Sequence, residues 1–278
     1  MFRPIILITL LLSHAIYAQQ KSSDEIVKEA NKLFRSEMAS WYGTDLFLEK
    51  FSQKQSRVGG YFSYTHEKLT TCVFYSNQEN PKIIASFTFD STYNTQTARV
   101  DGSERDLDKR ELDLFTIRNI GLKELQTDTL FKFYKGFNPN LIPLIDEKGK
   151  RVYILTGPQQ QGLIVFGNDY LLTFDKRSRL KEKKLLHKSL ITFDLANAPE
   201  GQIITATMHT HLPETGELIT PTDLCTLMLY GKFTTWNTHY VFSNKTVSIW
   251  DLKKGSLAIM PREAWEKISP KEKYLPKD

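Results

Sequence analysis

Cysteine is scarce. The 278 residues contain two, Cys72 and Cys225, far apart in the chain. Two thiols allow at most one bridge, so a disulfide-stapled scaffold is excluded. Cys225 falls on an expected helix, where a buried free thiol is equally ordinary. Long apolar runs are absent as well. The one candidate, Ile5 to Leu12, is far short of the about 20 residues that a membrane-spanning helix needs. No cysteine follows it, which argues against a lipid anchor there. A strong excess of either charge is also missing. The formal net charge is +5, or +4 without Arg3, a mild value that calls for no nucleic-acid partner. The one dense basic run, Lys176 to Lys188, has no interleaved aromatics, unlike a groove for single-stranded nucleic acid. It reads as a solvated hairpin tip, with a patch for anionic polysaccharide or lipid headgroups as the functional alternative. No internal repeat is visible.

What is present begins with an export signature. Arg3, the short apolar run and Ile16-Tyr17-Ala18 form the basic–apolar–small order of a secretory signal peptide, cleaved near Ala18. A secreted or periplasmic protein without a membrane span is the expectation. Ser23-Asp24 then precedes a helical stripe of Ile26, Ala30, Leu33, Phe34 and Met38. Tyr61 to Tyr64, Thr71 to Tyr75 and Ile83 to Phe89 read as an antiparallel meander. A second helix is expected over Leu107 to Leu125. Hairpin strands follow at Leu141 to Ile145 and Val152 to Leu155. A strand over Leu163 to Phe174 is broken at Gly167-Asn168-Asp169, where a turn, a bulge or a close backbone approach is expected. The fold class is α+β. The expected divisions are a signal peptide over 1–18, a helix-and-strand region over 19–104, a main domain over 105–260 and a tail over 261–278.

The most informative stretch is Ile203 to Asp223. An apolar, β-prone run closes on His209-Thr210-His211, a turn-prone segment follows, and Thr220-Pro221-Thr222-Asp223 opens a helix. In a strand, residues i and i+2 project from one face, so both imidazoles address one point. Asp223 can return from the helix start as an oxygen ligand. Two plainer readings compete. Threonine as N-cap, proline at the first helical position and an acid at the third make a good helix start without any metal. A His-x-His pair also suits a wet sheet face.

The order His209-x-His211-Leu212-Pro213, then Thr220-x-x-Asp223, resembles the JAMM (JAB/MPN) metallopeptidase family. Its pattern is a strand ending His-x-His-Pro, a loop, and Ser-x-x-Asp at a helix start. The resemblance implies a three-layer sheet-and-helix domain over 105–260 and a zinc ion held by His209, His211 and Asp223. It also implies hydrolysis of a peptide or isopeptide amide in a peptide or protein substrate, with Thr220 in the place of the serine that helps hold the oxyanion. Leu212 before the proline and Thr220 for serine are small departures. The large one is that the family's general-base glutamate has no clear counterpart.

Glu147 is the only glutamate between Asp128 and Phe174, and it falls in a hairpin turn. Asp169 is the best substitute by type. Glu37, Glu214 and Glu217 are further candidates, and His187 or His239 could complete a metal shell. A catalytically inactive domain of the same shape, acting as a binding module, and a metal-free secreted α+β protein are the alternatives.

Overall fold

The computed structural model describes residues 4–197 and 202–269, with side chains from 22 to 196 and from 202 to 269. The expected signal peptide and its cleavage site, and the tail beyond 269, lie outside the described side chains. The chain is α+β, an N-terminal helix followed by antiparallel strands and further helices. It forms two compact units. Unit 1 comprises Met1–Asn31 and Ala196–Asp278, and unit 2 comprises Lys32–Leu195. Among the described residues no helix is long and apolar enough to cross a membrane.

Helix α1 spans Pro4–Phe51 and contributes residues to both units. The helix start expected at Ser23-Asp24 therefore lies inside it. Serine and aspartate lower helix propensity by only a fraction of a kcal/mol, roughly 0.5 each, so two of them do not stop a long helix.

In unit 2, β1 (Val58–His66), β2 (Leu69–Ser76), β3 (Ile83–Phe89) and the short β4 (Arg99–Asp101) form an antiparallel sheet in chain order. The second half of α1 lies against it. Phe47 stacks on Phe74 with centroids 4.2 Å apart. A Cβ at Gly43 would sit 2.8 Å from that of Cys72, so the missing side chain permits the close approach. Helix α2 (Lys109–Thr127) starts at a capping box, Asp108 accepting from Glu111 N–H while the Glu111 carboxylate accepts from Asp108 N–H. Its apolar side, with Ile117 and Leu125, joins Val152, Ile154, Tyr170 and Leu172 in one buried cluster.

Those last residues come from a second antiparallel sheet, in the order β5 (Phe137–Asp146), β6 (Gly149–Pro158), β8 (Tyr170–Phe174), β9 (Leu180–Leu185). β7 (Leu163–Gly167) leaves this order and pairs with β10 (Leu190–Asp194). The break at Gly167-Asn168-Asp169 is thus a switch between sheets. Gly167 has φ +91°, and a Cβ there would lie 2.0 Å from the Ser189 carbonyl oxygen. Both the turn and the close approach demand glycine.

In unit 1 a four-stranded sheet runs β11 (Ala206–Thr210), β12 (Thr238–Phe242), β13 (Thr246–Asp251), β14 (Ser256–Pro261). β11 and β12 are parallel, and the other pairs are antiparallel. Parallel neighbours need a crossover, and α3 (Pro221–Tyr230) lies in it. Gly231 closes α3 with a right-handed backbone at φ −55°. Its missing side chain makes room for Leu252, whose Cδ2 would lie 2.8 Å from a Cβ there. One sheet face packs Tyr240 and Phe242 against Trp265 of the short α4 (Arg262–Ile268). The other face carries Thr207, His209, His239, Val241, Ser248 and Trp250, all buried.

Candidate metal centre

Alternation along β11 sorts its side chains cleanly. Ala206, Met208 and Thr210 are exposed, while Thr207 and His209 are buried. His211 continues the parity one step past the strand end. Its N–H donates to the Phe242 carbonyl at 2.7 Å, which extends the register with β12, and its side chain is buried too. The two imidazoles meet. His209 Nε2 is 3.2 Å from His211 Nε2.

The start of α3 brings in the carboxylate. Thr220 is the N-cap, Pro221 the first helical residue and Asp223 the third. Asp223 Oδ2 accepts from Thr220 N–H at 2.9 Å and from the Thr220 hydroxyl at 2.7 Å, and Thr220 Oγ1 accepts from Asp223 N–H at 3.1 Å. This reciprocal box fixes the carboxylate while leaving it pointed at the strand end. Oδ2 is 3.2 Å from His211 Nε2, and Oδ1 is 3.7 Å from His209 Nε2. Helix capping and convergence on the histidines are therefore one arrangement. The hydroxyl proton of Thr220 is engaged by Asp223, so here the residue orients the carboxylate.

A third imidazole stands behind the pair. His239, on β12 directly across from Thr207, is fully buried. Its Nε2 lies 2.8 Å from His209 Nδ1, and its Nδ1 lies 2.8 Å from Thr207 Oγ1. Burial first, and then the neighbouring His209, hold the His239 ring far below its usual range, at about 3, although Asp223 pulls the other way. It is a neutral imidazole at physiological pH.

The donor set suits a cation of zinc's kind. Tetrahedral zinc with bonds of about 2.0–2.1 Å sets its ligand atoms about 3.3 Å apart. The three contacts among His209, His211 and Asp223 measure 3.2, 3.2 and 3.7 Å. Two imidazoles and one carboxylate are borderline ligands of the kind zinc takes.

The other residues singled out from the sequence have the following partners. Asp169 belongs to unit 2 and is buried. Its Oδ1 accepts from Thr156 N–H at 3.3 Å, and its Oδ2 lies 3.3 Å from His187 Nδ1, so Asp169 and His187 form a buried pair there. Glu37, also in unit 2, accepts from the Asn140 amide. Burial raises its carboxyl to about 7, against the pull of Asn140. Glu147 is exposed and faces Lys32 at 3.3 Å. Glu214 is exposed on the loop after the histidines. Glu217 accepts from the Ser243 hydroxyl at 2.7 Å and Lys245 N–H at 2.9 Å, which lower its pKa and tie the loop to the β12–β13 turn. Thr207 was not singled out, and His239 only as one of two options. Their signal was available: alternation in Thr-His-Tyr-Val-Phe puts His239 and Val241 on one face.

Comparison of the chain with family models, with curated proteins and with solved structures finds no match.

Proposed function

We propose that unit 1 is a zinc-binding domain of JAMM-like design, exported, and acting on peptide or isopeptide amide bonds. The observation that carries this reading is the convergence of the two Nε2 atoms and the Asp223 carboxylate: 3.2 Å between the imidazoles, 3.2 Å from His211 to Oδ2 and 3.7 Å from His209 to Oδ1, near the about 3.3 Å that separates neighbouring ligand atoms of a tetrahedral zinc site. A zinc ion held there supplies Lewis-acid polarisation of an amide carbonyl and activation of a water nucleophile. The chain's residues have separate tasks. Strand parity and the Phe242 carbonyl hold His209 and His211 with their Nε2 atoms toward one point. Thr220 holds the Asp223 carboxylate through Oδ2. The burial of all three removes competing water and strengthens their attraction for a cation.

A second reading, a metal-binding module without turnover, is favoured by one specific observation. Glu217, a carboxylate of the adjacent loop, is engaged by Ser243 and Lys245 and so is poorly placed to serve as general base.

Metal analysis of the purified protein tests the proposal. About one zinc per chain is expected, with none in His209→Ala or His211→Ala. A wild-type protein that takes no zinc, or a His209→Ala variant that keeps it at full affinity, overturns it. Zinc bound without cleavage of any peptide, isopeptide or cell-wall peptide substrate selects the second reading.

A further inference from the structure

The pair of contacts behind His209 has a direction, and the direction follows from counting protons. A neutral imidazole carries one N–H. If His209 ligates a cation through Nε2, that nitrogen offers its lone pair and the proton sits on Nδ1. Nδ1 then needs an acceptor, since burying an unmatched donor is expensive. The atom 2.8 Å away is His239 Nε2. With Nε2 accepting, the single proton of His239 is on Nδ1, and it donates to Thr207 Oγ1 at 2.8 Å. The opposite direction is equally closed: Thr207 donates to His239, His239 donates to His209 Nδ1, and His209 Nε2 carries the proton. That state cannot bind a cation through Nε2.

We propose that His239, backed by Thr207, is the positioning partner of His209, accepting its Nδ1–H and so holding the Nε2 lone pair toward the metal position. The inference rests on the zinc reading above and goes beyond it by assigning residues that the His-x-His…Asp pattern leaves out. Register supports it, because Thr207 and His239 are direct partners of the parallel β11–β12 pair, so the relay is built into the sheet. Burial supports it too: His239 is 0% and Thr207 8% exposed, and water does not substitute readily for either. Partners of this kind orient metal-ligating histidines generally, and their loss lowers metal affinity by about 10–100-fold.

The experiment pairs zinc affinity, by competition with a chelating dye, with the imidazole tautomers of the full-length protein, by nitrogen-15 NMR. His239→Ala should weaken zinc binding by about 10–100-fold. His239→Gln, which restores an acceptor, should recover most of the loss. Thr207→Val should show a smaller loss. In the zinc-loaded wild-type protein His239 should carry its proton on Nδ1. Unchanged affinity in His239→Ala, or a His239 proton on Nε2 in the zinc-loaded protein, overturns the inference while leaving the zinc site standing. A wild-type protein that binds no zinc removes both. Should His239→Ala fail to fold, His239→Gln and the wild-type tautomer still decide. Equal zinc loss in His239→Ala and His239→Gln assigns His239 to packing and overturns the relay.

Discussion

The two units neutralise buried carboxylates differently. In unit 2, Glu111 is 0% exposed. It meets a two-pronged guanidinium from Arg105 at 2.6 and 2.8 Å, the Tyr64 hydroxyl at 2.9 Å and Asp108 N–H at 2.9 Å. Burial alone would raise its pKa, yet Arg105, Asp108 N–H and Tyr64 outweigh burial and hold it low. Half-buried Asp146 is treated alike: desolvation is overcome by the Arg151 fork at 2.7 and 2.8 Å, Lys32 and Lys148 N–H. In unit 1, Asp223 is as buried, but its contacts within that unit include a capping threonine and two imidazoles. A guanidinium is a permanent cation, and its carboxylate is fully matched by the folded chain. An imidazole can instead turn a lone pair inward, so on the proposed reading carboxylate and imidazoles together present acceptors to a bound cation. On the zinc reading proposed above, the contrast separates a structural ion pair from a metal site by the chemistry of the partners, where burial alone does not distinguish them.

The largest expected effect breaks that contrast at its structural end. Arg105→Met leaves Glu111 buried without its counter-charge and should destabilise the protein by about 3–5 kcal/mol, read from urea unfolding. Asp223→Asn, measured in zinc-free protein, should cost about 1 kcal/mol or less, because the amide oxygen can still cap α3. Equal losses would mean that Asp223 is as structural as Glu111.

Much of this was legible from the chain, for reasons that differ by residue. Parity in Thr207–His211 needs only a strand, and the Thr220-Pro221-x-Asp223 start needs only a capping box; both signals are local. The α+β class followed from equally local periodicities, although three strands went unassigned: β4 in a polar stretch, β14 after a charged, glycine-containing turn, and β9, where the basic run expected as a hairpin tip instead supplies Leu180–Leu185 to pair with β8. The sheet assignment of β7 was not legible, since pairing with β10 is a long-range choice that Gly167 permits but does not announce. His239 was hard to rank for the same reason: its role depends on β12 lying parallel to β11 in a register that places it across from Thr207. The sequence offered candidates for a base by residue type alone and did not choose among them. Asp169 pairs with His187, and Glu217 with a turn, and neither partner could be read from spacing.

Glu37, half-buried, adds a third way to neutralise a carboxylate, by keeping its proton. Burial raises it to about 7 from an ordinary 4.5. Below the lower value both folded and unfolded chains hold the proton. Between the two, the unfolded chain releases it while the folded chain keeps it, so the folded state binds more protons and stability falls as pH rises. Above 7 the loss is complete, at roughly 3 kcal/mol. The melting temperature should therefore decline from pH 4.5 to 7 by an amount that Glu37→Gln removes, and that variant should be more stable than wild type at pH 8. A flat difference between the two proteins across this range would mean that Glu37 is ionised in the fold, matched as Glu111 is.

The smallest effect is the most discriminating, because it lies where capping and the site coincide. Thr220 accepts from Asp223 N–H and donates to Asp223 Oδ2, so one hydroxyl both starts α3 and aims the carboxylate. Thr220→Ala removes the N-cap and should cost about 1 kcal/mol of stability, read as a small drop in melting temperature. It also frees Asp223 to rotate away from His211, so zinc affinity should fall as well. Thr220→Ser keeps the hydroxyl and should restore both. The informative outcome is a split. If Thr220→Ala loses stability but binds zinc as tightly as wild type, the box is only a helix start, and the backbone Thr220 N–H suffices to hold Oδ2. If stability and affinity fall together and serine returns them together, the helix start is part of the metal centre. The threonine in the place of the family's serine then acts through Asp223 rather than on substrate.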